Sequence, residues 1–337
     1  MITTPALIAE SLSREFGTHK AVDQADLRLE SGQITALIGS SGSGKTTLLR
    51  MLAGMERPDS GRVLSGSEEL SSAAKFVPIE KRRIGLVFQD FALFPHLNVL
   101  ENVMFGLRNL PKQERREVAG DWIEKLGLGH RRDAYPHHLS GGEQQRTAIA
   151  RALAPAPVAI LLDEPFSGLD PAMRDQVRDA ALEAVRAANI PALLVTHDAS
   201  EALVHADQIA VIDSGKILQV GTPEDLYRKP INLKAARALG PIHKIETAAL
   251  PHDWKSMLAT TSDTLWYRPE ALSILPGNAF SVLKTRLAGP VTELQLALGE
   301  TDCLFAACQL GAPLQAGDQV NLSVNPSLFF DFSDETT

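Results

Sequence analysis

Cysteine is nearly absent. The chain holds Cys303 and Cys308 and no others, and that spacing is neither a zinc motif nor a redox pair. A disulfide scaffold is thereby set aside, a reduced cytosolic setting is expected, and two core thiols are the plainest reading. A basic excess is also missing. The formal net charge is −8, so nothing global advertises nucleic acid or anionic lipid as a partner. No stretch approaches the ~18 apolar residues of a membrane-spanning helix, and Met1–Gly17 lacks the basic start and apolar run of a signal peptide. Any membrane connection is therefore expected to run through a partner. Internal repeats and low-complexity tracts are lacking too. What remains is ordinary globular composition, 44% hydrophobic and 22% charged over 337 residues, enough for two domains or three.

The most informative stretch is Gly39–Thr47, Gly-Ser-Ser-Gly-Ser-Gly-Lys-Thr-Thr, which fits the phosphate-binding loop pattern. A triphosphate packs several negative charges together, so its cradle needs many donors in a small space. Backbone N–H groups supply them where no Cβ blocks the approach, hence Gly39, Gly42 and Gly44, with Ser40, Ser41 and Ser43 between them. Lys45 adds a point cation for the β- and γ-phosphates, and the Thr46 hydroxyl is a Mg²⁺ ligand candidate. Thr47–Leu52 is expected to continue as a helix whose dipole faces the same anion. Ile34–Ile38 ahead of it is a short apolar run suited to a buried parallel strand.

Along the chain, Ala6–Leu12 and Asp26–Leu29 read as strands flanking a turn near Gly17. Phe16, just before that turn, is either an adenine-stacking aromatic or a half-buried strand residue. Pro58–Gly61 is a turn signal, and Arg83–Val87 is a strand ending at Phe88-Gln89-Asp90. Asn98–Leu107 and Gln113–Leu126 have helical spacing, with Val118, Ile123 and Leu126 on one face, a helical insertion in an α/β domain. His137 and His138 invite a metal reading, but neighbours on an extended segment point apart, so two solvated imidazoles are expected. Leu139–Arg146 reads Leu-Ser-Gly-Gly-Glu-Gln-Gln-Arg. Ser140 is a plausible cap for a helix opening at Gly141 and Gly142, a second anion-facing helix start. The apolar strand Val158–Leu162 runs into Asp163-Glu164-Pro165. Asp163 is placed to organise Mg²⁺ and Glu164 to take a proton from an attacking water, unless both merely cap a strand end. Ser167–Asp170 follows. A second parallel strand, Ala192–Val195, ends at Thr196-His197-Asp198. His197 is either a surface residue or a group at the carboxyl edge, where open α/β sheets bind ligands.

Taken in this order, Gly39–Thr47, Gln89, Leu139–Arg146, Ile160–Pro165, Ser167–Asp170 and His197 resemble the ATP-binding subunit of ABC transporters over about residues 5–240. The resemblance implies an α/β fold: a P-loop NTPase cassette over 1–240 with a helical subdomain near 90–155. It implies ATP and Mg²⁺ as ligands. Phe16 would stack on adenine, and Gly39, Ser40, Ser41, Gly42, Ser43, Gly44, Lys45, Thr46 and Thr47 would cradle the phosphates. Thr46, Gln89 and Asp163 would serve the metal, with Gln89 also sensing the γ-phosphate. Glu164 would be the general base, and His197 would hold the γ-phosphate in its reactive position. Ser140, Gly141 and Gly142 would meet the ATP of an opposite subunit, which implies a homodimer with two shared sites. Glu143 stands where many relatives have Gln, and Ser43 where many importers have Cys; neither position need contact phosphate through its side chain.

Asp213–Pro230 and Phe91–Asn102 look like bacterial importer ATPases, peripheral to the cytoplasmic face of the inner membrane. In that group Phe91–Asn102 is the surface docking on permease subunits, with a periplasmic binding protein serving indirectly. Those proteins carry a C-terminal β-rich regulatory domain of the oligosaccharide-binding-like (TOBE) type, here 241–337. Leu294, Leu296 and Leu298 alternate with other residues, as do Val320, Leu322 and Val324, which argues a small barrel or sandwich. Arg268-Pro269-Glu270 matches that fold's short motif. Such folds bind nucleic acid in some proteins, but five Lys/Arg against eleven Asp/Glu over 241–337 disfavour it. Arg151–Asp170, Tyr135–Leu139 and Leu226–Gly240 look most like ferric iron importers. Sulfate, thiamine, phosphonate, polyamine or sugar import stays open, as does a non-transport ATPase sharing the cassette.

Overall fold

The computed structural model describes residues 6–288, 291–298, 304–309 and 314–332. Cys303 lies outside the described residues and Cys308 is described only as backbone of strand Leu304–Gln309, so the expectation of two core thiols falls outside that description. The chain divides into two compact units, Met1–Leu226 and Tyr227–Thr337.

In the first unit a six-stranded sheet runs in the order Lys216–Gly221, Gln208–Asp213, Ile34–Ile38, Ala192–Thr196, Ala159–Asp163, Ile84–Val87. All neighbours are parallel except Lys216–Gly221, which returns antiparallel at one edge. Parallel strands must be covered on both faces, and alternation along each strand divides the side chains accordingly. Ile160, Leu162 and Leu194 join Val103, Ile123, Ile149 and Leu182 in one buried cluster. Leu37, Leu161, Leu193 and Val195 join Leu48, Leu49 and Leu52 in the other. That second cluster also takes Leu7, Leu12, Val22 and Val63 from a four-stranded antiparallel sheet ordered His19–Leu29, Leu7–Phe16, Ser60–Ser65, Glu68–Ser72. The helical insertion comprises Val99–Met104, Lys112–Lys125 and Gly141–Leu153, with short 3₁₀ turns between them.

Because the central strands are parallel, their carboxyl ends share one edge of the sheet. Gly39–Gly44 follows Ile34–Ile38, Gln89 follows Ile84–Val87, Glu164 follows Ala159–Asp163, and His197 follows Ala192–Thr196. This is the edge at which open α/β sheets bind ligands.

The second unit has two antiparallel sheets, His243–Glu246/Thr264–Tyr267/Phe329–Phe330 and Leu304–Gln309/Val291–Leu298/Leu272–Ala288/Gln319–Val324. The alternation expected there holds: Leu294, Leu296, Val320 and Leu322 are buried, and Leu298 and Val324 pack against them. The division falls at Leu226/Tyr227 rather than at 240/241, where the sequence suggested it. The physical cause is Arg268, wholly buried (0% exposed). Its guanidinium stacks 4.2 Å from the Tyr227 ring centroid and donates to the carbonyls of Gly240 (3.0 Å) and Pro241 (3.2 Å). The Tyr227 hydroxyl hydrogen-bonds the Glu270 carboxylate. The segment from Tyr227 to Pro241 is thereby fastened to the β-rich unit. Among the described residues no helix is long and apolar enough to cross a membrane.

Candidate functional site

The loop Gly39–Gly44 owes its path to two close approaches. A Cβ on Gly39 would lie 2.2 Å from the Ile212 carbonyl oxygen. Gly44 has φ 108°, and a Cβ there would lie 2.3 Å from the Ala21 carbonyl oxygen. Only glycine fits either position. Gly44 is also the N-cap of helix Lys45–Ala53, longer by two residues at its start than the expected Thr47–Leu52. Its first N–H groups and its dipole face the loop. The Lys45 ammonium, 8% exposed, donates to the carbonyls of Gly39 (2.8 Å) and Ser40 (2.9 Å). Burial lowers its pKa, while the charges of Glu164 and Asp163 pull the other way.

Above the loop lies a cavity of about 520 Å³. Ser41, Gly42, Gly44, Lys45, Thr46 and Thr47 line it together with Phe16, Glu164 and His197. Phe16 is 48% exposed, with the Arg14 guanidinium 4.8 Å from its ring centroid. Glu164 sits with φ 44°, a left-handed conformation that costs a non-glycine residue about 1–2 kcal/mol. Its N–H donates to the Val195 carbonyl at 3.0 Å, which anchors it to the neighbouring strand. Its Oε2 lies 3.0 Å from His197 Nδ1. Asp163, the last residue of its strand, is half-buried. Burial and then the Glu164 charge push its carboxyl above the usual carboxylate range, against the opposing pull of Arg50 and Lys45.

Other expected residues lie apart from this cavity. Gln89 is exposed and does not line it, and neither do Ser140, Gly141 and Gly142. Ser140 does cap helix Gly141–Leu153, as expected, and does so through a reciprocal capping box with Glu143. His137 and His138 are both exposed, as two solvated imidazoles should be, but the premise of that expectation is corrected. His137 and His138 do not point apart: they sit in a 3₁₀ turn, Pro136–His138, with ring centroids 4.1 Å apart. Among the described residues no group of three or more His, Cys, Asp or Glu side chains is placed to hold a metal.

Several participants escaped the sequence reading. His19 and Ala21 line the large cavity; His19 pairs with Phe16 across the hairpin, so the turn at Gly17 was the available signal. A second cavity of about 60 Å³ adjoins Glu164 and His197 and reaches Arg174 and Glu201. Glu201 is 6% exposed; burial raises its pKa against the hydrogen bond from Thr196, and nothing in the pattern marks it. The segment Phe91–Asn102 is internally braced. The buried Asn102 amide donates to the carbonyls of Phe94, Leu97 and Asn98 and accepts from the Phe94 N–H. Arg151 donates to the carbonyls of Phe91 (2.9 Å) and Ala92 (2.7 Å).

Comparison with known proteins agrees with this geometry. Residues 22–167 match the ABC transporter family. A protein of Serratia marcescens named as an Fe(3+) ions import ATP-binding protein, FbpC, is 44% identical over 244 residues, 72% of this chain and 70% of its own length. The sulfate/thiosulfate import ATP-binding protein CysA of Rhodopseudomonas palustris is 45% identical over 227 residues, 65% of this chain and 64% of its own. Among solved structures, cbiO1 from Clostridium perfringens, part of the ABC transporter complex cbiONQ, superposes with a TM-score of 0.60 at 30% identity, covering 66% of this chain and 90% of that one. A dimeric post-hydrolysis state of an ATP-binding cassette, bound to ADP and Pi, gives 0.57 at 28% identity over 64% and 98%. With the loop, the acidic strand end, the histidine and the capped glycine-rich helix in one cassette, this chain belongs to the ABC transporter family.

Proposed function

We propose that the chain is the ATP-hydrolysing subunit of a bacterial importer, acting as a pair and docking on membrane subunits through Phe91–Asn102, with ferric iron as the cargo. The observation that carries the ATPase reading is the cavity in which Lys45, Glu164 and His197 converge over the glycine loop. ATP would lay its phosphates on the N–H groups of Gly39–Thr47 and on Lys45, with adenine against Phe16. Glu164 would accept the proton of the attacking water, oriented by His197, whose ring already lies at hydrogen-bond distance. Mg²⁺, when bound, supplies charge neutralisation at the phosphates. The donor set suits it: Thr46, a hydroxyl residue, lines the cavity, and Asp163 is a half-buried carboxylate for which a cation would relieve the cost of burial. Thr46, Gln89 and Asp163 are the residues that would hold it. A hard, largely hydrated ion of this kind needs one carboxylate and no protein cage.

Ser140, Gly141 and Gly142 open a helix outside this cavity, so their N–H groups would act on an anion carried by a second copy. The post-hydrolysis dimer among the similar structures supports that arrangement, and the transporter complex containing cbiO1 supports a membrane-bound assembly at the cytoplasmic face. Iron as cargo is supported by the relatives named for Fe(3+) import; sulfate is the competing reading, supported by the relative named for it. The test is Glu164→Gln in cells that depend on this chain. ATP turnover of the purified protein should fall by roughly 10²–10⁴, the range for loss of a general base, while nucleotide binding persists, and uptake of labelled ferric iron should fail while sulfate uptake continues. Retained turnover would remove the catalytic assignment, and a sulfate defect with normal iron uptake would reassign the cargo.

A further inference from the structure

The start of helix Gly141–Leu153 carries a charge arrangement that capping alone does not require. Glu143 is 7% exposed. Its Oε2 accepts from the Ser140 N–H (2.8 Å) and from the Ser140 hydroxyl (3.0 Å). Its Oε1 accepts from Arg131 Nε (2.8 Å) and lies 3.6 Å from His130 Nε2. A glutamine would complete the same capping box. A carboxylate differs in two ways. It is the stronger acceptor, so it competes for the Ser140 hydroxyl hydrogen. It also sets a negative charge beside the place where an anion must sit for Ser140 to reach it. Burial would favour the neutral acid, yet the Ser140 N–H, the Arg131 guanidinium and the Ser140 hydroxyl outweigh burial and hold the carboxyl down to about 2. The charge is therefore permanent in the working range of pH. Arg131 meets it on Oε1, the oxygen turned from Ser140, and leaves Oε2 to the Ser140 N–H and hydroxyl.

We propose that Arg131 is a positioning residue for the nucleotide of the opposite subunit: by neutralising Glu143 it lets Ser140 give its hydroxyl hydrogen to the incoming phosphate. This rests on the reading above that Ser140 faces a partner's ATP. A purely structural role, in which Arg131 staples the turn Gly129–Arg131 to the helix, predicts something different. A staple lost is lost whatever stands at 143; a charge left bare matters only if 143 carries one.

The experiment is a double-mutant cycle in the full chain, with Arg131→Met, Glu143→Gln and the two combined, reading KM for ATP, kcat and thermal stability for each. Arg131→Met should raise KM about tenfold, the size of one partly screened charge at several ångströms, and Arg131→Lys should recover most of it. Glu143→Gln should stay within about twofold of the parent. The combined variant should return to the level of Glu143→Gln, because no charge remains to be neutralised. If Arg131→Met is no worse than the parent, or its defect persists at full size when combined with Glu143→Gln, the proposal is overturned. Should Arg131→Met unfold, Arg131→Gln carries the same comparison. The underlying reading of Ser140 fails separately, through the mixing experiment described below, which does not involve Arg131.

Discussion

At the scale of single residues, the phosphate-loop site holds charge at a disadvantage. Asp163 is half-buried beside another carboxylate, Glu164, and its folded-state pKa lies above the ordinary value. The sign of the consequence follows from linkage. A carboxyl that holds its proton more tightly when folded destabilises the fold once ionised, so the penalty is absent in acid, appears as pH rises through the unfolded value, and is complete above the folded one. Asp163→Asn should therefore raise the melting temperature of the nucleotide-free protein at pH 7, and the gain should vanish below about pH 4, where the parent is protonated as well. The same variant should lose ATP turnover, as stability gained at a functional position usually costs activity. Scanning calorimetry at the two pH values decides it; an unchanged or lower melting point at pH 7 would show that Lys45 and Arg50 already compensate the charge.

At the scale of elements, Arg82 reinforces the left-handed Gly54 cap that closes helix Lys45–Ala53. It is 2% exposed, and burial lowers its pKa to about 10. Its Nη1 donates to the carbonyls of Met51 (3.0 Å) and Leu52 (2.9 Å), and its Nε donates to the carbonyl of Val77. The last carbonyls of the phosphate-loop helix are thus met by a fixed cation, the favourable end for one. Arg82→Met should cost roughly 1–3 kcal/mol, the penalty for leaving buried carbonyls unmet, read as a lower urea midpoint with unchanged slope. A loss within experimental error would mean that water reaches those carbonyls in the variant. Arg82 also marks where sequence reading stops. Strand Ile34–Ile38, the loop and the strand ends at Glu164 and His197 were legible, because apolar run length, glycine spacing and chain order are local signals. Arg82 was not, because a lone arginine reads as surface and this one is buried; Arg268 was read only as part of the Arg-Pro-Glu motif, and its burial was not legible. Ser140 was read as a cap, but its reciprocal partner Glu143, written in the sequence as Ser-x-x-Glu, was read only as part of the motif. The attachment of Tyr227–Pro241 to the β-rich unit was hidden for the same reason as Arg268, since no break in composition marks Leu226.

At the scale of the whole molecule, the loop Gly39–Thr47 and the helix start at Ser140 do not line the same cavity; under the proposed pairing each is one half of a shared site. If each half serves the other chain's partner half, two different defects should complement. Lys45→Ala removes the phosphate cation but keeps the Ser140 helix start; Ser140→Arg spoils that start but keeps the loop. In a mixed pair one composite site carries both defects and the other carries neither. Mixing the two inactive variants should recover part of the parent's ATPase rate, and a mixture that stays inactive although heterodimers form by native mass spectrometry would rule out the shared site.

The capped start of helix Gly141–Leu153 bears on how such a pair comes together. Its hydroxyl, its backbone N–H and its flanking carboxylate are already tied to one another in the lone chain, and Lys45 already rests on the carbonyls of its own loop. Both faces are finished moulds before they meet. Closure then needs a turned hydroxyl rather than a folding segment, so little ordering entropy is lost in the encounter. Under the proposed pairing, these two points would add no folding contribution to the heat-capacity change, which reports the apolar area that the surfaces cover.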